Sequence, residues 1–113
     1  VMCDCPKHVR VGTYENQVTF DVPAHMAEYR ARRIAAGLSG LICIDRCLVD
    51  EVLALWMAGI RTNGSCCGHN HVPPIISVFP EYIPAMKAMG YQVQFNPSRP
   101  YAEDGFIPKT VRA

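Results

Sequence analysis

Two short stretches of this chain bring thiols and imidazoles together: Cys3-Asp4-Cys5-Pro6-Lys7-His8 near the start, and Cys66-Cys67-Gly68-His69-Asn70-His71 beyond the middle. Cys47 stands between them. Thiolate and neutral imidazole are the ligands that borderline-soft zinc takes in fours, commonly as close pairs from two separate segments. The spacing differs from the C-x2-C pairs of common zinc fingers, so the ligand types carry this reading more than the spacing does. The expected zinc ligands are drawn from Cys3, Cys5, Cys47, Cys66 and His69, with Cys67 as the next candidate. Cys66 and His69, at the ends of a tight glycine-containing loop, can point at one centre more easily than the adjacent Cys66 and Cys67 can. His8 and His71 lie close to the clusters but are equally compatible with facing solvent, and His25 reads as a surface histidine. Cys43, inside the apolar run Leu41-Ile42-Cys43-Ile44, is expected to be a small buried hydrophobe.

A zinc ion held by four protein groups would be structural and would add folding free energy to a small domain. Three protein ligands and a water would instead make a hydrolase, with Asp45, Glu51 or His71 available as base. A metal-free alternative is nucleophilic or redox chemistry at Cys47 or Cys66 with His69 as base. A three-disulfide scaffold is disfavoured, because Cys3-x-Cys5 and Cys66-Cys67 would each have to pair outward. Other signatures are missing from the sequence: no C-x5-R loop, no H-x-E with P-C-x-x-C, no G-x-x-x-x-G-K-[ST], no G-x-G-x-x-G and no H-E-x-x-H.

The elements that must position these groups read as mixed α/β. Gln17 to Val22 alternates as a strand, and Pro23 opens a helix that runs to Ala36 before Gly37. Leu41–Ile44 is a short buried strand, Asp45 a helix N-cap, and residues 46–58 the core helix, with Leu48, Val49, Val52, Leu53 and Trp56 on its inner face and Gly59 as its stop. Ile60–Ser65 and Ile75–Phe79 read as further strands, residues 83–89 as a short helix, and Tyr91–Phe95 as a last alternating segment. The fold class is therefore α/β, with mixed α+β as the variant: a small single-layer sheet with a βαβ crossover over 41–65 and flanking helices at 23–36, 46–58 and 83–89. If the crossover strands are parallel neighbours, Cys47 and Cys66 emerge at the same carboxyl edge, where function tends to collect. Cys47 would sit in the first helical turn, whose free N–H groups favour a thiolate.

The chain has 113 residues, is 50% hydrophobic and carries a formal net charge of +1, which fits one small core and gives no strong nucleic-acid signature. Residues 1–95 are read as one domain, including the N-terminal cysteine segment, and 96–113 as an extended proline-containing tail that either wraps the domain or is loose. The Leu41–Ile60 stretch is interrupted by Asp45, Arg46, Asp50 and Glu51, so no bilayer span is expected. Met2 is not followed by a basic start and an apolar segment, so a cytoplasmic setting with reduced thiols is expected. Arg30, Arg32 and Arg33 give the first helix a basic face, read as a solvated surface, with weak recognition of a protein or nucleic acid, or of phosphate, as the alternative.

Ile44-Asp45-Arg46-Cys47, Gly59-Ile60-Arg61-Thr62 and Ser65-Cys66-Cys67-Gly68-His69 resemble a motif of small bacteriophage and mobile-element proteins, I-D-x-C, a helix, then G-I-x-T-x-x-S-C-C-G-H. The resemblance is clearest over residues 44–79, and Cys3-Asp4-Cys5-Pro6 is similar to the opening of the same group. It implies a shared site and an accessory role without naming a reaction. His71 lies outside the motif.

Overall fold

The computed structural model describes residues 17–38, 40–68 and 72–110. In chain order the elements are β1 (Gln17–Asp21), α1 (Ala27–Ala35), β2 (Leu41–Asp45), α2 (Val49–Met57), β3 (Thr62–Cys66), β4 (Ile75–Val78), α3 (Ile83–Ala88) and β5 (Gly105–Phe106). Each helix is entered through one 3-10 turn, at Ala24–Met26, Arg46–Leu48 and Pro80–Tyr82. The expected boundaries hold to within a few residues because the caps are local chemistry. At the end of α2 the Gly59 N–H donates to the Trp56 carbonyl (3.0 Å) and the Ile60 N–H to the Leu55 carbonyl (2.9 Å), a closure that the left-handed φ of +87° at Gly59 makes possible.

The architecture is mixed α+β, built on two antiparallel sheets, β1-β2 and β3-β4-β5. This corrects the single-sheet expectation. Helix α2 does cross from β2 to β3, but the two strands end in separate sheets and face each other across a cleft. Within β3–β4 the Phe79 N–H donates to the Arg61 carbonyl (3.4 Å), while the Val78 N–H turns away to the Asp104 carbonyl (2.9 Å). Thr62 and Val78 are therefore a non-bonded antiparallel pair, and the backbone groups of Thr62 point toward β2. There the Tyr29 hydroxyl of α1 takes the Thr62 carbonyl, a position a β2 N–H would occupy in a continuous ladder.

One apolar cluster joins both sheets to the helices. It includes Met26 and Tyr29 from the α1 region, Ile42 and Ile44 of β2, Leu48 beside α2, Val52, Leu55 and Trp56 of α2, Ile76 and Val78 of β4, and Met86 of α3. Tyr29 meets the rings of Trp56 (5.7 Å) and Phe79 (6.3 Å) edge to face. Past residue 96 the chain is largely exposed as far as residue 103, and residues 104–106 and 108 are buried. Phe106 is 0% exposed, and β5 completes the edge of β4. The expected strand over 91–95 reduces to a single bridge, Val93 to Phe106. No helix among the described residues is long and apolar enough to cross a membrane.

Candidate functional site

The carboxyl ends of β2 and β3 meet through one side chain. Asp45, the last residue of β2, accepts the Cys67 N–H at Oδ2 (2.8 Å) and the Gln17 Nε2 at Oδ1 (3.1 Å). It is 1% exposed. The expected N-cap role is corrected by this arrangement: the helical segment that follows has no side-chain cap bond, because the carboxylate is turned to the loop beyond β3. The bond fixes that loop as it leaves the strand, so the Cys66 region is held beside the start of the α2 segment. Gln17 Oε1 is buried at the same edge with no hydrogen-bond partner among the described residues.

The predicted ligands divide in three ways. Cys3, Cys5 and His69, together with His8 and His71, lie outside the described residues. Cys47, in the 3-10 turn after β2, and Cys66, the last residue of β3, are both half-buried. Gly68, turned through a φ of +77°, directs its N–H at the Cys66 sulfur (3.3 Å). Cys67 is 2% exposed and belongs to the apolar core, since successive side chains leaving a strand point to opposite sides. No group of three or more histidine, cysteine or acidic side chains fit to hold a metal is present among the described residues.

Cys43 departs from its expected place. It is exposed on β2, its sulfur 3.5 Å from Thr19 Oγ1, because the strand alternates and turns Ile42 and Ile44 inward instead. The basic face of α1 is largely engaged within the molecule. Arg32 forms a forked pair with Glu81 and lies 3.8 Å over the Phe79 ring, and Arg33 is 8% exposed. Glu51, one of the possible bases, has both oxygens occupied by the Tyr91 hydroxyl, the Thr110 hydroxyl and the N–H groups of Lys109 and Thr110. Burial pushes its carboxyl up, but these bonds outweigh burial and hold it below the ordinary range. It is a tether for the tail.

Beside the carboxyl edge, Cys66 opens on an apolar cleft of about 330 Å³ whose walls include Pro73, Ile75, Phe95 and Pro97. Sequence reasoning found the cysteines but missed Asp45 as a clamp and Thr62 as a hub. Thr62 Oγ1 accepts the Trp56 Nε1–H (2.9 Å) while its carbonyl takes Tyr29. Residues 60–65 are mostly polar, so nothing in the sequence singled out Thr62. No protein-family model, curated protein or solved structure matches the chain.

Proposed function

We propose that this protein is a zinc-binding α+β domain whose metal ties the N-terminal cysteine segment to the shared edge of β2 and β3. Cys66 and Cys47 are the ligands from the described part, and Cys3, Cys5 and His69 complete the set. The observation that carries the reading is the Asp45 clamp. A carboxylate is costly to bury, and here the burial orients the turn that presents Cys66. Gln17 Oε1 beside it is an acceptor of the kind that orients a ligating imidazole through its second ring N–H. Cys67, turned into the core, is a spectator in this proposal, and so is Cys43.

The metal then contributes structural free energy to a domain with a small core, and the domain acts as an accessory module of the phage or mobile-element kind that its motif resembles. Arg30 is the arginine of the basic face left for a protein or nucleic-acid partner. A second reading has one specific observation behind it: a half-exposed thiol with an N–H aimed at its sulfur, at the mouth of an apolar cleft, is also how a nucleophilic cysteine is presented.

Elemental analysis of protein purified without added metal, with a free-thiol count after denaturation and chelation, separates the two. The expected result is one zinc per chain and six free thiols. Cys66→Ser should lose the metal and lower the melting temperature, and Cys43→Ser should keep it. Stoichiometric zinc retained by Cys66→Ser would overturn the ligand assignment. Metal-free wild type with one hyper-reactive thiol at Cys66 would favour the nucleophile.

A further inference from the structure

We propose that the outer edge of β1 is a self-association surface, where a second copy of this chain adds its own β1 antiparallel about Thr19 and joins the two β1-β2 ribbons into one four-stranded sheet. The phase of the existing ladder fixes which groups that edge presents. The Val22 N–H donates to the Gly40 carbonyl (3.2 Å), one step beyond the Asp21–Leu41 pair, so Val22 and Gly40 form a bonded pair. Bonded pairs alternate along an antiparallel ladder, which puts Phe20 and Val18 in the same class and turns the backbone N–H and C=O groups of Gln17, Thr19 and Asp21 away from β2. Among the described residues no strand lies on that side of β1, and no backbone bond is made to these groups there.

The edge lacks the devices that usually keep strands apart. β1 reads Gln-Val-Thr-Phe-Asp, with neither proline nor lysine, and its register with β2 runs through without a bulge. Its apolar layer also stops short. Ile42 and Ile44 of β2 are 8% and 1% exposed, whereas Val18 and Phe20, on the same face of the sheet, are only half-buried. A two-stranded ribbon has little cohesion by itself, and a further pair of strands completes that layer.

A second copy fits this edge because the strand is complementary to itself. A two-fold axis through Thr19 sets Thr19 against Thr19 and Gln17 against Asp21, so every outward-facing residue of the strand gains a bonded partner. Val18 then lies opposite Phe20 of the other copy, and the one charged residue of the strand, Asp21, does not meet its own kind. An axis at any other residue of β1 pairs fewer of the three. Neither this pairing nor its test depends on the metal.

Sedimentation equilibrium of the full chain in reductant, over a concentration series, reads the association directly. The expected wild-type mass is that of two chains. Thr19→Pro removes the central N–H from both copies at a position where β2 does not use it, so the mass should fall to one chain while circular dichroism stays unchanged. Thr19 is exposed, so Thr19→Lys and Thr19→Glu should fold as the wild type does, and each should weaken association about fivefold through like charges set face to face. Mixing these two variants should restore it, because only an axis through Thr19 brings that position opposite itself. A dimer that persists in folded Thr19→Pro, or a mixture of the Lys and Glu variants no tighter than either alone, would overturn the proposal. So would wild type that stays a single chain up to about 1 mM. Slow hydrogen exchange at the Thr19 and Asp21 amides of that single chain would then assign the edge to the protein's own chain, and fast exchange to a different partner.

Discussion

Thr62 and Asp45 show how much of this molecule rests on single polar side chains. Thr62 is buried within β3 and satisfies the Trp56 indole while its carbonyl satisfies Tyr29. Thr62→Val keeps the shape and the carbonyl but strands the indole N–H, so urea denaturation should show a loss of about 1–3 kcal/mol. Asp45→Ala removes the acceptor of the Cys67 N–H. It should cost a similar amount, about 1–3 kcal/mol, and speed hydrogen exchange at the Cys67 amide by more than at the amides of α2. An unchanged Cys67 amide would mean that the loop is held by other contacts. Residue types were legible here and residue roles were not. Asp45 has the right chemistry for an N-cap, yet an N–H twenty-two positions away competes for the same oxygen and wins.

At the scale of elements, the C-terminal segment is tied to α2 by one carboxylate. Glu51 is held below the ordinary carboxylate range. The Tyr91 phenol is pushed up, first by burial and then by its hydrogen bond to Glu51. The two shifts act at opposite ends of the pH scale. Stability from Glu51 is present above its unfolded value of about 4.3 and is lost as pH falls through the lower folded value. Stability from Tyr91 is present below its unfolded value of about 10 and is lost as pH rises from there toward the raised folded value. Melting temperature measured against pH should therefore fall at both ends. Glu51→Gln should flatten the acid limb, and Tyr91→Phe the alkaline one. Retention of both limbs in both variants would remove this tether from the account. The helices themselves were readable because the spacing of Leu48, Val52 and Trp56 and the stop at Gly59 are local. The tether was not, since it spans 58 residues from Glu51 to Lys109.

For the whole molecule, the tail is part of the core. Phe106 is fully buried and meets Tyr91 edge to face at 6.4 Å, and β5 covers the outer edge of β4. Losing a buried phenylalanine costs about 3–5 kcal/mol, against about 5–15 kcal/mol for the whole stability of a domain of this size. A chain ending at Asp104 should therefore lose its cooperative melting transition, and its uncovered β4 edge should promote self-association visible by light scattering. A truncated chain that melts cooperatively near the temperature of the full chain would show that the tail is dispensable.

Taken by itself, the sequence determined the approximate positions of β1 to β4 and of the three helices, the helix stops, and the helix that connects β2 to β3. Each of these follows from local spacing and from glycine at the helix ends. Only the tertiary structure decided that β2 and β3 belong to different sheets, that Cys43 faces outward while Cys67 faces in, and that Arg33 lines a cleft. The physical reason is competition between distant partners. The Tyr29 hydroxyl claims a carbonyl that a strand would have used, and Asp45 reaches for an N–H rather than its own helix; neither choice is encoded in the residues on either side.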